Sequence, residues 1–307
     1  MSVRIGFAPG VLPTNGAMVE HFWRFLDAAV RLGLDSLWLS DLLTGARPTL
    51  EPVVALAAAV GRHPGLKIGT SVLAMPLRQP VIAARQLATL DLLSGGRCFP
   101  AVGLGQEDPR EYEACGVRKQ ERARRTDEAI ALMRRLWTEE EVTFEGEFFR
   151  VRGLTIAPRP VQQPCPPVWI GGRTEAAQRR VGRLGDGWLA STVLPEEVAR
   201  GVPVVFETAQ ACGREIEEDH IGVVLGFHIA STREEAAAAA RPYVRPRPDA
   251  PFTAYSALGP AAEVAATVQR YVDAGASKFV LRPLCPPEQA LEQLEALGRE
   301  VVPHFHR

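Results

Sequence analysis

Gly171-Gly172-Arg173-Thr174 follows directly on the apolar run PVWI (167–170). It sets two residues without side chains ahead of a cation and a hydroxyl. Glycine lets a ligand approach the backbone, a helix opening at Thr174 presents unpaired amides, and Arg173 adds a guanidinium, so the group suits a phosphate. The same letters suit a plain strand-to-helix turn with Thr174 as N-cap. Other residues able to do chemistry are spread along the chain: Asp41, Ser71-Val72, Gly103, Gln106, His228 and Arg282. Asp41 reads either as a hydrogen-bonding partner for a ligand or as a loop cap. His228 reads as a ligand contact or a satisfied core histidine, and Arg282 as an anion contact or a solvated arginine. His304 and His306 have no partnering ligands nearby and read as inert, and no metal site is expected.

The elements that must position these residues alternate. Apolar, β-branched runs at 3–8, 36–40, 66–73, 97–105, 167–172, 186–191, 221–230 and 277–283 read as strands. Amphipathic or apolar stretches at 18–32, 50–62, 80–93, 122–137, 174–184, 195–211, 233–241, 260–274 and 286–301 read as helices. Strand–helix alternation demands a mostly parallel sheet, and eight such units fit a (β/α)8 TIM barrel forming one domain over residues 1–307. EVTFEGEFFRV (141–151) breaks the alternation as an extra β-hairpin, and the Pro-rich 157–167 is an insertion loop. A doubly wound sheet is the runner-up, weakened because no GxGxxG follows the first strand. In a barrel, sites form at the C-terminal strand ends, which is where the residues singled out above fall.

Composition excludes several classes. With 35 basic against 36 acidic residues the net charge is −1, so no global field attracts nucleic acid or an anionic membrane. No apolar run is long enough to span a bilayer and the N-terminus lacks a signal-peptide core, which predicts a cytoplasmic protein with its five scattered cysteines reduced. The only lysines are Lys67, Lys119 and Lys278. The first and last start strands, on the wrong face for a Schiff-base aldolase, and Lys119 lies in a long loop. A metal-dependent hydrolase would want histidines and carboxylates at several strand ends, and Phe7-Ala8-Pro9 offers none at the first.

The segments GTSVLAMPLRQPVIAARQLATLDLLSGGR (69–97), RRTDEAIALMRRLWTEEEVTFEGEFFRV (124–151) and PPVWIGGRTEAAQRRVGRLGDGW (166–188) resemble the bacterial luciferase-like family. SLWLSD (36–41) and 259–281 extend the resemblance over nearly the whole chain. It implies a (β/α)8 barrel oxidoreductase using coenzyme F420 for hydride transfer with a small organic substrate, or alternatively flavin mononucleotide (FMN) as a monooxygenase. It also implies a homodimer, to which the apolar helix 50–60 would contribute. Gly171, Gly172, Arg173 and Thr174 then match the cofactor-phosphate turn. Ser71-Val72 matches the place of a non-prolyl cis peptide that buttresses the ring, and Gly103 lets the flat ring approach. Asp91 and Arg97 read as structural, with an ion pair between them.

The departures matter. Relatives often read Ser-Asp-His where this chain has Ser40-Asp41-Leu42, so the histidine able to shuttle a proton is missing. Asp41 and Gln106 are left as the candidate catalytic residues. Gln106 stands where sugar-phosphate-oxidising relatives carry a glutamate acid, a role an amide cannot take unless Glu107 substitutes. These departures keep alive a second class of function, a non-catalytic flavin-binding or partner subunit.

Overall fold

A computed structural model describes residues 2–45 and 48–305, so His306 lies outside the described residues. The chain runs β1 (Arg4–Phe7), α1 (Met18–Arg31), β2 (Ser36–Leu39), α2 (Pro52–Arg62), β3 (Lys67–Thr70), β4 (Leu73–Ala74), α3 (Pro80–Ser94), β5 (Cys98–Phe99), β6 (Ala101–Gly103), α4 (Pro109–Ala114) and α5 (Arg122–Thr138). Then come β7 (Val142–Glu145), β8 (Arg150–Leu154), β9 (Trp169–Gly171), α6 (Glu175–Leu184), β10 (Gly187–Ser191), α7 (Pro195–Ala211), β11 (Ile221–Ile229) and α8 (Arg233–Ala240). The last elements are β12 (Ser256–Gly259), α9 (Ala261–Asp273), β13 (Lys278–Pro283) and α10 (Pro287–Ala296).

All pairings in the main sheet are parallel, in the order β4-β6-β9-β10-β11-β13-β1-β2-β3-β5. Since β3 runs on into β4 and β5 into β6, the ladder closes on itself as an eight-stave barrel. Strands covered on both faces need apolar residues at nearly every position, which is why SLWL in β2 is buried throughout. Alternation sends Ala8, Trp38, Ala101, Trp169, Leu189 and Val280 into the barrel interior, where Trp38 and Trp169 meet edge to face at 6.1 Å. Their neighbours along each strand join the larger apolar layer between sheet and helices.

The floor of the barrel, at the N-terminal strand ends, is ionic. Buried Lys278 reaches Asp35 and donates to Ser36 Oγ at 2.7 Å, its ammonium 5.8 Å from the Trp38 ring centroid. Lys67 donates to the other Asp35 oxygen at 2.8 Å. Burial pushes the Asp35 carboxyl up, but the two ammoniums outweigh it and hold the group down to about 2.

Three details depart from the sequence reading. The third and fourth strands are each split, by Ser71-Val72 and by Pro100. An unforeseen strand, β12, pairs with the second half of β11 beyond the reach of β10. The expected Asp91–Arg97 ion pair is replaced. Buried Asp91 accepts from the Val161 and Gln162 amides at 2.7 and 3.0 Å and from Gln162 Nε2 at 2.6 Å, while Arg97 reaches the Pro64 carbonyl. Asp91 thereby fastens the Pro-rich loop to α3. The β7–β8 hairpin forms as expected, pinned by Glu128 of α5, whose carboxylate accepts from the amides of Phe148 and Phe149.

Candidate active site

At the C-terminal mouth of the barrel, three of the residues singled out converge. The Ser71–Val72 peptide is cis, and the Val72 side chain lies over Gly103 and Gly171 on the next two staves, β6 and β9. A side-chain carbon at Gly103 would fall 2.5 Å from Val72 Cγ2, and one at Gly171 would fall 2.8 Å from Val72 Cγ1. The two glycines make room for Val72, leaving its apolar surface between backbones that carry no side chains.

Ser40 and Asp41 hold this strand end in place. Ser40 Oγ donates to the Ser71 carbonyl oxygen at 3.0 Å. Asp41 Oδ2 accepts from the Ala74 amide at 3.0 Å and from Arg78 Nε at 2.9 Å. With one oxygen committed twice and its side chain 13 % exposed, Asp41 acts as a clamp on β4.

The Gly171–Thr174 turn lies beside that cradle. Gly172 has φ +126°, a region side chains rarely adopt, and its carbonyl accepts from buried Trp188 Nε1 at 2.7 Å. Thr174 caps α6, its Oγ1 accepting from the Ala177 amide at 3.3 Å. Among the described hydrogen bonds, the amides of Arg173, Thr174, Glu175 and Ala176 donate to no protein acceptor. They are the orphan donors of a helix start, and with the half-exposed Arg173 they form an anion cradle.

Behind the turn lies a cluster that the sequence reading missed. Arg247 is buried, its guanidinium donating to both Glu197 oxygens at 2.8 Å, to both Asp249 oxygens at 2.7 and 2.5 Å, and to the Thr192 carbonyl at 3.0 Å. These bonds hold the Glu197 and Asp249 carboxyls below the usual carboxylate range. Asp249 in turn stands 3.6 Å from Arg173 Nη1. The segment RPRPD (245–249) gives no periodicity to read, and the Glu197 and Thr192 partners of Arg247 lie 50 and 55 residues away.

Gln106 is half-buried, and its backbone carbonyl is 2.7 Å from the Tyr112 hydroxyl. Glu107 points to Arg122 and Lys119, which hold its carboxyl down to about 2, so it stays ionised near neutral pH and cannot serve as an acid there. Arg282 is the next-to-last residue of β13, on the face that Lys278 and Val280 turn inward, in register with Gly226. His228 is buried, its Nδ1–H donating to the Leu284 carbonyl at 3.0 Å, and burial lowers its pKa against that bond. That bond fixes the ring against the barrel wall through one of its two nitrogens. Among the described residues no cluster could hold a metal ion, and no helix is long and apolar enough to cross a membrane.

The F420-dependent glucose-6-phosphate dehydrogenase of Kineococcus radiotolerans is 29% identical, over 97% of this chain and 93% of its own. The FMNH(2)-dependent dimethylsulfone monooxygenase of Pseudomonas putida is 32% identical over 63% of this chain and 53% of its own. In fold, the chain superposes on an F420-dependent secondary alcohol dehydrogenase solved with an F420-acetone adduct, at a TM-score of 0.83, 20% identity and full coverage of both chains. Residues 3–302 match the family described as luciferase-like monooxygenase, and the chain belongs to that family.

Proposed function

We propose that the protein is an oxidoreductase that binds coenzyme F420 at the barrel mouth and transfers a hydride to or from a small organic substrate. The observation that carries this reading is the junction of two cradles: Val72 against Gly103 and Gly171, and the anion-ready turn Gly171–Thr174 with Arg173. Val72 would back the flat ring, and the orphan amides and Arg173 would take the phosphate. When bound, the deazaflavin supplies the hydride chemistry. The chain's own residues bind, orient and shield. Ser40 and Asp41 fix the strand end, Gln106 and Arg282 line the mouth as substrate contacts, and Leu42 replaces a proton-shuttling histidine with an apolar side chain. The strand-end Thr70-Ser71-Val72 and the F420-dependent relatives support F420 over FMN.

Titrating both cofactors into the protein in one calorimeter is expected to give tighter binding of F420. A clear preference for FMN would move the protein to the second reading, an FMN-dependent monooxygenase, which the Pseudomonas putida relative favours. Binding of cofactor without turnover of any alcohol, aldehyde or sugar would favour a partner subunit.

The reading extends to one barrel domain working in the cytoplasm as a homodimer. Ile82, Gln86, Thr89 and Leu93 follow one another at helical spacing on the outer side of α3, with Ile82 and Leu93 each 56% exposed. On α2, which packs against α3, Val54 is 68% exposed and no charge occurs from Pro52 to Gly61. A second copy would cover this patch, the largest run of exposed apolar side chains on two adjacent described helices. Light scattering at micromolar concentration should give twice the chain mass. Ile82→Arg should shift it to one chain mass with the melting curve nearly unchanged. A wild-type monomer would end the dimer reading.

A further inference from the structure

Arg173 shares its surroundings with a fixed negative charge. Asp249 stands 3.6 Å from Arg173 Nη1, yet both its oxygens are held by Arg247, which is itself only 4% exposed and pinned by Glu197 and the Thr192 carbonyl. Swinging Asp249 away would break that fork and leave a buried guanidinium half-paired. Arg173 is under no such constraint: its contact with Asp249 exceeds hydrogen-bond distance, and its side chain is 36% exposed. Of the two carboxylates in the cluster, Asp249 is the one turned to solvent, 58% exposed against 23% for Glu197. An anion taken up by Arg173 therefore meets a carboxylate that cannot leave.

We infer that Asp249 selects the kind of phosphate the turn accepts, favouring a monoanionic phosphodiester over a dianionic phosphomonoester. The inference rests on the reading that a cofactor phosphate lies at Gly171–Thr174. Repulsion from one fixed charge scales with the charge on the ligand. The phosphate of F420 is an internal diester with one charge, whereas FMN ends in a monoester that carries nearly two above neutral pH. At a partly exposed site the extra charge costs about three- to tenfold in affinity. Two guanidiniums facing two carboxylates leave the cluster without the surplus of positive charge that a dianion favours.

The test is a set of binding titrations at pH 8 and low salt with FMN, riboflavin and F420, on wild type, Asp249→Asn and Asp249→Ser. Riboflavin shares the FMN ring and lacks the phosphate. Both variants should bind FMN about three- to tenfold more tightly, F420 by a smaller factor, and riboflavin unchanged. Melting temperatures taken alongside show that the variants remain folded. Unchanged or weaker FMN binding by both variants, or equal shifts for FMN and riboflavin, overturns the selective role of Asp249 while leaving the cofactor reading in place. A wild-type protein that binds none of the three removes the cofactor reading, and this inference with it.

Discussion

Asp35→Asn is expected to lower the melting temperature by about 5–8 °C, because it leaves the buried Lys278 ammonium without its carboxylate. Lys278 is 6% exposed on its side chain, and in the variant its charge meets only neutral partners: the Asn amide oxygen, Ser36 Oγ and the Trp38 face. Breaking a buried pair from one side costs about 3–5 kcal/mol, and unfolding entropy near 2.1 cal/mol/K per residue converts that to the stated shift. Adding Lys278→Met should restore most of the loss, since the buried charge is then gone and the remaining Lys67, 38% exposed, can turn to water. The pH dependence has a definite sign. Asp35 has a folded value of about 2 against an ordinary 3.8, so its contribution is complete above pH 4 and fades as pH falls toward 2. Wild type should lose stability in that window, while Asp35→Asn should lack this component. A variant melting within a degree of wild type would show that the floor pair contributes nothing.

The same pair explains a feature of the sequence that composition alone left without a role. In a chain that uses arginine almost everywhere, two of three lysines lie against Asp35. The barrel floor has room for a compact ammonium beneath Trp38, where a planar guanidinium with five donors would need more partners. The sequence places both lysines at strand starts and so rules them out of the mouth; it does not say that they meet, because residues 35, 67 and 278 are neighbours only once the barrel closes.

Legibility elsewhere follows the range of the interaction. Strands such as SLWL and helices such as Met18–Arg31 are set by local periodicity, and their limits lie within a few residues of those read from the letters. The mouth is legible in part, since Gly103 and Gly171 each end a stave, Val72 sits at the break between β3 and β4, and a barrel brings these positions together. Asp41 was found and its work was not, because its partners Ala74 and Arg78 lie on the next stave and beyond. Arg247 and Asp249 escaped entirely. They lie in a loop rich in proline and arginine, and only tertiary contact with Glu197 and Thr192 marks them. β12 escapes for a related reason: its four residues pair only with the second half of β11, beyond the reach of β10, a neighbour that nothing local in the sequence marks.

Arg173→Ala is expected to weaken cofactor binding by about ten- to a hundredfold, the equivalent of one hydrogen bond to a charged group at roughly 1.5–3 kcal/mol. Two features of the cluster push the result toward the upper end. The phosphate loses its cation, and Asp249, held by Arg247, then faces it without a guanidinium between them. Folding should survive, because Arg173 is 36% exposed and its contact with Asp249 is longer than a hydrogen bond. Gly172→Val acts by another route. At φ +126° a β-branched residue is strained, and its Cβ would fall 2.7 Å from Ala177 Cβ in the first turn of α6. The turn must shift, carrying the amides of Arg173 to Ala176 out of line, so this variant should lose both affinity and melting temperature. A turn with no ligand predicts something different: unchanged affinity in Arg173→Ala and only a stability loss in Gly172→Val. Measuring affinity and melting temperature on both variants separates the two cases, and unaltered affinity in both would place the phosphate elsewhere on the barrel.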